Sequence, residues 1–180
     1  MEENEMISKA MKILSDEHVY ILKVIDLLER ECDSLENNKS IDKTFFTNAL
    51  KFIRNYADKL HHAKEEDILF KEMCKRDVEK KIHCNPIDQM LHEHNIGRNF
   101  IKKMEEGIYK NNPKQVSENC REYCQLLKDH IYKEDNILYP MADEVLGTVK
   151  MKELYKKFSE IDRKRKSEIS NYIKFSEIRR

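Results

Sequence analysis

Apolar residues recur at steps of three and four through four long stretches of this chain, and that period constrains the fold more than any other feature. In the first stretch the stripe is Met11, Leu14, His18, Ile21, Leu22, Ile25, Leu28 and Cys32. Such spacing lines one face of an α-helix, whereas a half-buried strand alternates at two. The second stripe is Phe46, Leu50, Ile53, Ala57, His61, Glu65, Ile68, Leu69 and Met73. The third is Ile87, Met90, Leu91, His94, Gly97, Ile101, Met104 and Ile108. The fourth is Val116, Cys120, Tyr123, Leu127, His130, Glu134, Ile137, Leu138 and Met141.

Local signals place the ends. The first helix is predicted to start between Met6 and Ser15 and to end near Leu35. Residues 37–40 form a polar connection, and Ser40 or Asp42 caps a second helix that ends near Cys74. Lys75 to Cys84 reads as a loop. Asn85-Pro86 and Asn112-Pro113 each join a cap to a first-turn proline, starting helices three and four. Gly147-Thr148 is a break, and a fifth helix carries Met151, Leu154, Tyr155, Phe158, Ile161, Ile169, Tyr172 and Ile173. Short connections favour antiparallel neighbours. The expectation is an all-α, up-down-up-down antiparallel four-helix bundle over residues 1–146, with an additional amphipathic basic helix over 147–180 packed on it.

Composition agrees: 38% of residues are charged and glycine and proline number three each, which suits long helices. Lys plus Arg and Asp plus Glu stand at 34 each, so no overall field draws nucleic acid. Residues 150–180 hold 11 basic and 5 acidic side chains, read as a solvated face or a contact with a second copy. With no secretory leader and no apolar stretch of membrane-spanning length, the expected location is the cytoplasm. The five cysteines then read as reduced thiols, with Cys120 and Cys124 packing in the core.

The histidines do not fit a plain core. Each stripe contains one, and His61 and His130 are followed four residues later by Glu65 and Glu134. Residues i and i+4 share a helix face, so each pair can grip one metal ion. His18 and His94 fall early in their helices and the two pairs fall late, so antiparallel packing brings all four positions to one depth. Glutamate is almost never buried unless paired or metal-bound. The candidate ligands are therefore His18, His61, Glu65, His94, His130 and Glu134, a nitrogen and oxygen set suited to iron, zinc or manganese. A ferritin-like site would need Glu-x-x-His on two helices, and no histidine here has glutamate three residues before it. His62, with Glu66 four residues on, is a further or supporting ligand candidate; His92 lies nearly opposite His94 and is expected to face solvent. Leu14, Ile21, Leu22, Ala57, Ile68, Ile101, Leu127 and Ile137 are expected to wall the site from water. Tyr20, Tyr56, Tyr109, Tyr123, Tyr132 and Tyr139 read as packing residues, with Tyr123 shaping a pocket near His130.

Four stretches carry a resemblance: Asp16-Glu17-His18, His61 through Phe70, His92-Glu93-His94, and His130 through Pro140. In that order, from about Met6 to Met141, they resemble the hemerythrin-like (HHE) cation-binding family. The resemblance implies a non-haem di-iron centre, its two Fe ions bridged by oxo or hydroxo groups and by carboxylates, with zinc or mixed occupancy in a purified sample. It implies a protein that binds and reacts with O2, peroxide or NO under oxidative or nitrosative stress. Its alternatives are an iron donor for repair of iron-sulfur centres and a non-enzymatic iron sensor acting through a partner. The partners it implies are a small diatomic ligand or peroxide, an electron-donor protein and a second copy of the chain, with no membrane. The chain departs from the oxygen carriers of the family, which have His-x3-His on the third helix. Here Met90 and Arg98 flank His94 at that spacing, leaving the set one ligand short unless His62 or His92 contributes.

Overall fold

The computed structural model describes residues 7–37, 40–75, 78 and 86–178, and every regular element among them is helical. The Asn85 cap, residues 38 and 39 of the first connection, and most of the Lys75–Cys84 loop lie outside the described residues. Helix α1 (Lys9–Glu36) starts at Ser8, whose hydroxyl accepts from Met11 N. Helix α2 (Lys43–Phe52) is capped by Asp42, whose carboxylate accepts from Phe45 N at 2.9 Å. It runs on without a break through two π-helical segments, π1 (Ile53–His62) and π2 (Glu65–Leu69), into α3 (Phe70–Met73). Helix α4 (Pro86–Tyr109) and helix α5 (Pro113–Lys133) follow, the latter capped by Asn112 with proline in its first turn. A third π segment, π3 (Glu134–Leu138), joins α5 to α6 (Tyr139–Lys164), and α7 (Lys166–Ser176) ends the described chain.

The π segments correct one stripe. A π turn spends an extra residue per turn, so the buried face slips by one position beyond it. After Glu134 the buried residues are Leu138, Tyr139, Ala142 and Val145, while Ile137 is 51% exposed.

Two apolar clusters flank the histidine layer. One holds Ile21, Ile25 and Leu28 of α1, Phe46 and Leu50 of α2, Ile101 and Met104 of α4, and Cys120 and Leu127 of α5. The other holds Met11 and Leu14 of α1, Leu69 and Phe70, Ile87 and Met90 of α4, and Leu138, Tyr139, Leu154 and Phe158. In the first three stretches the histidine falls between the residues of one cluster and those of the other, and in the fourth the change comes just after His130, with Ile131 the last residue of the first cluster.

Gly147, at φ 71° and ψ 169°, breaks the helical path within α6, a conformation that suits glycine alone. Beyond it Met151, Leu154 and Phe158 are buried, whereas Tyr155 is 40% exposed. The expected single C-terminal helix is two pieces. The chain leaves helical geometry at Arg165, whose guanidinium donates to Lys59 O at 2.9 Å, and α7 then packs Ile169, Tyr172 and Phe175 against the first cluster. No helix among the described residues is long and apolar enough to cross a membrane.

Candidate metal centre

Four buried imidazoles from four helical stretches meet between the apolar clusters. His18 Nε2 lies 3.0 Å from His61 Nε2, and His94 Nε2 lies 2.9 Å from His130 Nε2. Glu134 sits between the pairs, with Oε2 3.2 Å from His18 Nε2 and Oε1 2.9 Å from His130 Nε2. Glu65 Oε2 is 3.7 Å from both His61 Nε2 and His94 Nε2. All six residues are buried. The six candidate ligands read from the sequence therefore share one site.

The other ring nitrogen of each histidine is held from outside. His61 Nδ1 meets Glu17 Oε2 at 2.9 Å, His94 Nδ1 meets Glu66 Oε1 at 2.7 Å, His130 Nδ1 meets Glu93 Oε2 at 2.8 Å, and His18 Nδ1 meets Asp135 Oδ1 at 3.1 Å. An ionised carboxylate can only accept, so each Nδ1 carries the hydrogen and each Nε2 is directed at the interior. Carboxylates placed behind imidazoles in this way fix ring orientation and strengthen them as ligands. Each carboxylate has a second donor of its own: Lys64 for Glu17, Arg98 for Glu66, Lys133 for Glu93, and Ser15 for Asp135.

The inner carboxylates are not satisfied within the protein. Glu65 Oε2 and both oxygens of Glu134 are buried without a hydrogen bond, although Tyr139 donates to Glu65 Oε1 at 2.7 Å. The imidazoles near Glu134 act on it by charge at close range, not by aligned donation. Buried polar atoms are rarely orphaned in native proteins, and three such oxygens among inward-facing imidazole nitrogens fit a bound cation. Donor atoms of His18, His61 and Glu134 lie within 4.8 Å of one another, as do those of Glu65, His94 and Glu134, so Glu134 belongs to both groups.

The electrostatics follow from crowding. Burial and the Glu134 charge push the Glu65 carboxyl well above its usual range. Burial pushes the same way on Glu134, but His130 and His18 outweigh it and hold that carboxyl well below. Burial and the positive charge of its neighbours lower His61. His62 is lowered to about 3, by burial and by His94.

His62 is buried and stacks on His94 with ring centroids 3.8 Å apart. Its ring also joins His94 and His130 in a third group of donor atoms, and its Nδ1 lies 3.4 Å from Asp58 Oδ1. His92 is exposed, as expected. Of the expected apolar wall, Leu14, Ile21, Ala57, Ile101 and Leu127 are buried, Leu22 and Ile68 are half-buried, and Ile137 faces solvent. The wall is also breached. A cavity of about 310 Å³ reaches His62, His94 and His130, lined by Ala57, Gly97, Ile101, Tyr123 and Leu127.

The sequence reading missed Glu17, Glu66, Glu93, Asp135 and Lys64, and it placed Tyr139 among packing residues. A signal existed for the carboxylates: each is the immediate sequence neighbour of a residue aimed at the interior. No curated protein and no solved structure matches the chain. Residues 9–142 match the family model described as the hemerythrin HHE cation-binding domain, which spans all six inward-facing residues, and the chain belongs to that family.

Proposed function

We propose that this chain is a non-haem di-iron protein that binds O2, peroxide or NO and reacts with it. The observation that carries the reading is the trio of orphaned oxygens on Glu65 and Glu134, set among four imidazoles whose outer nitrogens are already engaged. His18 and His61 would hold one iron, His94 and His130 the other, and Glu65 and Glu134 would lie between them. A donor set of nitrogen and oxygen without thiolate suits iron in a high-coordination site better than structural zinc. Two iron ions held there would supply electrons to a small ligand. The protein's own part is to orient the imidazoles, shield the carboxylates and leave a path in. The cavity ending at His94 and His130 supplies that path, with Tyr123 and Leu127 on its apolar side.

The reading includes an up-down-up-down order of the four stretches, supported by the sequence in which each passes from one apolar cluster to the other at its histidine or just after it. It also includes an electron-donor partner, because a ligand can be reduced repeatedly only if electrons are returned.

The test is anaerobic purification from iron-supplemented cells, a metal count per chain, and visible spectra before and after O2. Two irons per chain and a new visible band on oxidation support the reading. One zinc, or no metal with an intact fold, ends it.

A further inference from the structure

Lys64 is 0% exposed, and a lysine in that position has to be explained. Its Nζ donates to Glu17 Oε1 and to Asp162 Oδ1, and it lies 6.0 Å from the centroid of the Phe158 ring. Glu17 is the carboxylate that holds His61 through its other oxygen. A continuous chain of polar contacts therefore runs from His61 through Glu17 and Lys64 to Asp162. Asp162 and Phe158 belong to α6 beyond Gly147, and both lie past residue 142, where the family match ends. The segment that covers Lys64 thus lies outside the residues that the family model spans.

We propose that the C-terminal segment is coupled to the metal centre through Lys64 and Asp162, so that metal occupancy and docking of this segment reinforce each other. The inference rests on the metal-binding reading above. Metal on His61 Nε2 fixes the ring, which fixes Glu17 Oε2 behind it. Glu17 Oε1 is then presented to Lys64 in one place, and Nζ is presented to Asp162. In the other direction, lifting α6 off the bundle admits water to Lys64 and Glu17, and Glu17 no longer holds His61 in a single orientation. Coupling between two equilibria is reciprocal: the factor by which docking tightens metal is the factor by which metal tightens docking. Asp162 acts as a positioning residue at a distance from the ligands, and the segment beyond Gly147 reports the state of the centre to the surface.

The experiment uses full-length protein with zinc as a redox-silent probe. Amide hydrogen exchange is followed in α6 beyond Gly147, with and without zinc, and zinc affinity is measured by chelator competition. Wild type is compared with Asp162→Asn, with Asp162→Glu, and with Glu160→Gln, an exposed neighbour on the same helix. Zinc is expected to slow exchange in this segment by about tenfold, within the usual range of coupling, in wild type and Glu160→Gln. Asp162→Asn should lose most of that effect and bind zinc more weakly by a similar factor, and Asp162→Glu should regain part of both. Wild type that binds zinc with no change in exchange overturns the coupling and leaves the metal centre standing. So does an Asp162→Asn chain that behaves as wild type. Failure of wild type to bind any metal removes the centre and the coupling together.

Discussion

Removing metal and raising the pH should weaken this fold through His18 and His130. In chelator-stripped protein the Nδ1 of His18 donates to Asp135 while its Nε2 faces His61 Nε2 at 3.0 Å, so a proton lies between the two nitrogens. His130 and His94 stand in the same relation at 2.9 Å. Burial alone would drive the extra proton off His18, but the Asp135 hydrogen bond and the Glu134 carboxylate outweigh it and hold the ring up to about 9. Burial opposes the proton on His130 as well, and Glu134 and Glu93 raise that ring to about 9.

Each ring thus keeps, when folded, a proton that the unfolded chain sheds near its ordinary value of 6.5. A raised folded pKa stabilises fully below the unfolded value, and its contribution is lost as pH climbs to the folded value. At about 1.4 kcal/mol per pH unit, the window from 6.5 to about 9 is worth about 3 kcal/mol for one ring. The rings share Glu134, so twice that is an upper bound. For a chain of this size 3 kcal/mol corresponds to a fall of roughly 6–12 °C in midpoint. Metal held by these rings would take the Nε2 lone pairs and displace those protons, so the loaded protein should show no such decline. The assay is thermal unfolding followed by far-ultraviolet circular dichroism across this window, with and without zinc. A stripped midpoint that stays level or rises, or an equal decline in loaded protein, would refute the proton placement.

Other substitutions test separate parts of the structure. Glu93→Gln keeps the shape behind His130 but removes the charge, and should weaken metal binding about 10–100-fold in a chelator competition with the fold intact. Gly97→Ala and Gly107→Ala should differ in sign. A Cβ on Gly97 meets Tyr123 at 3.6 Å, ordinary contact, and should add about 0.5–1 kcal/mol of helix stability. One on Gly107 meets Val116 Cγ2 at 2.9 Å and should cost about 1–3 kcal/mol in denaturant unfolding. Leu154→Ala, in the segment beyond Gly147, should cost about 2–5 kcal/mol because Leu154 is 0% exposed. A loss near zero would mean that the segment is not docked in solution.

Helix starts were legible because capping is local chemistry: Asp42 and Asn112 each accept from the amide three residues on. The meeting of the histidines was legible because each falls on the apolar stripe of its own stretch. What failed was the π turn and the partners that flanking side chains find on other helices. Ile137 was put inside by a period that has no place for a π turn. Glu17, Glu66, Glu93 and Asp135 sit on the flanks of their helices, where a charged residue ordinarily meets water, and only the adjacent helix gives them a buried nitrogen. Lys64 reads as solvent-facing between His61 and Glu65 until α6 covers it. The break at Arg165 carries neither glycine nor proline to announce it.

The four outer carboxylates form a closed circuit. Glu17 of α1 holds His61 of the second stretch, Glu66 of the second holds His94 of α4, Glu93 of α4 holds His130 of α5, and Asp135 beyond α5 holds His18 of α1. The spacing has a geometric reason. Neighbouring residues on a helix are about 100° apart, so beside a residue facing the axis the next one faces an adjacent helix. The direction of the step carries further information. Glu17 and Glu93 precede the histidines they neighbour, His18 and His94, whereas Glu66 and Asp135 follow the glutamates they neighbour, Glu65 and Glu134. Going round a bundle in one sense requires the same step on helices that run the same way and the opposite step on helices that run against them. Alternation of the step from stretch to stretch supports the proposed up-down-up-down order, because two parallel neighbours would need the step repeated. The same circuit means that no imidazole can be reoriented alone, because each is fixed by the helix before it and its own helix fixes the next.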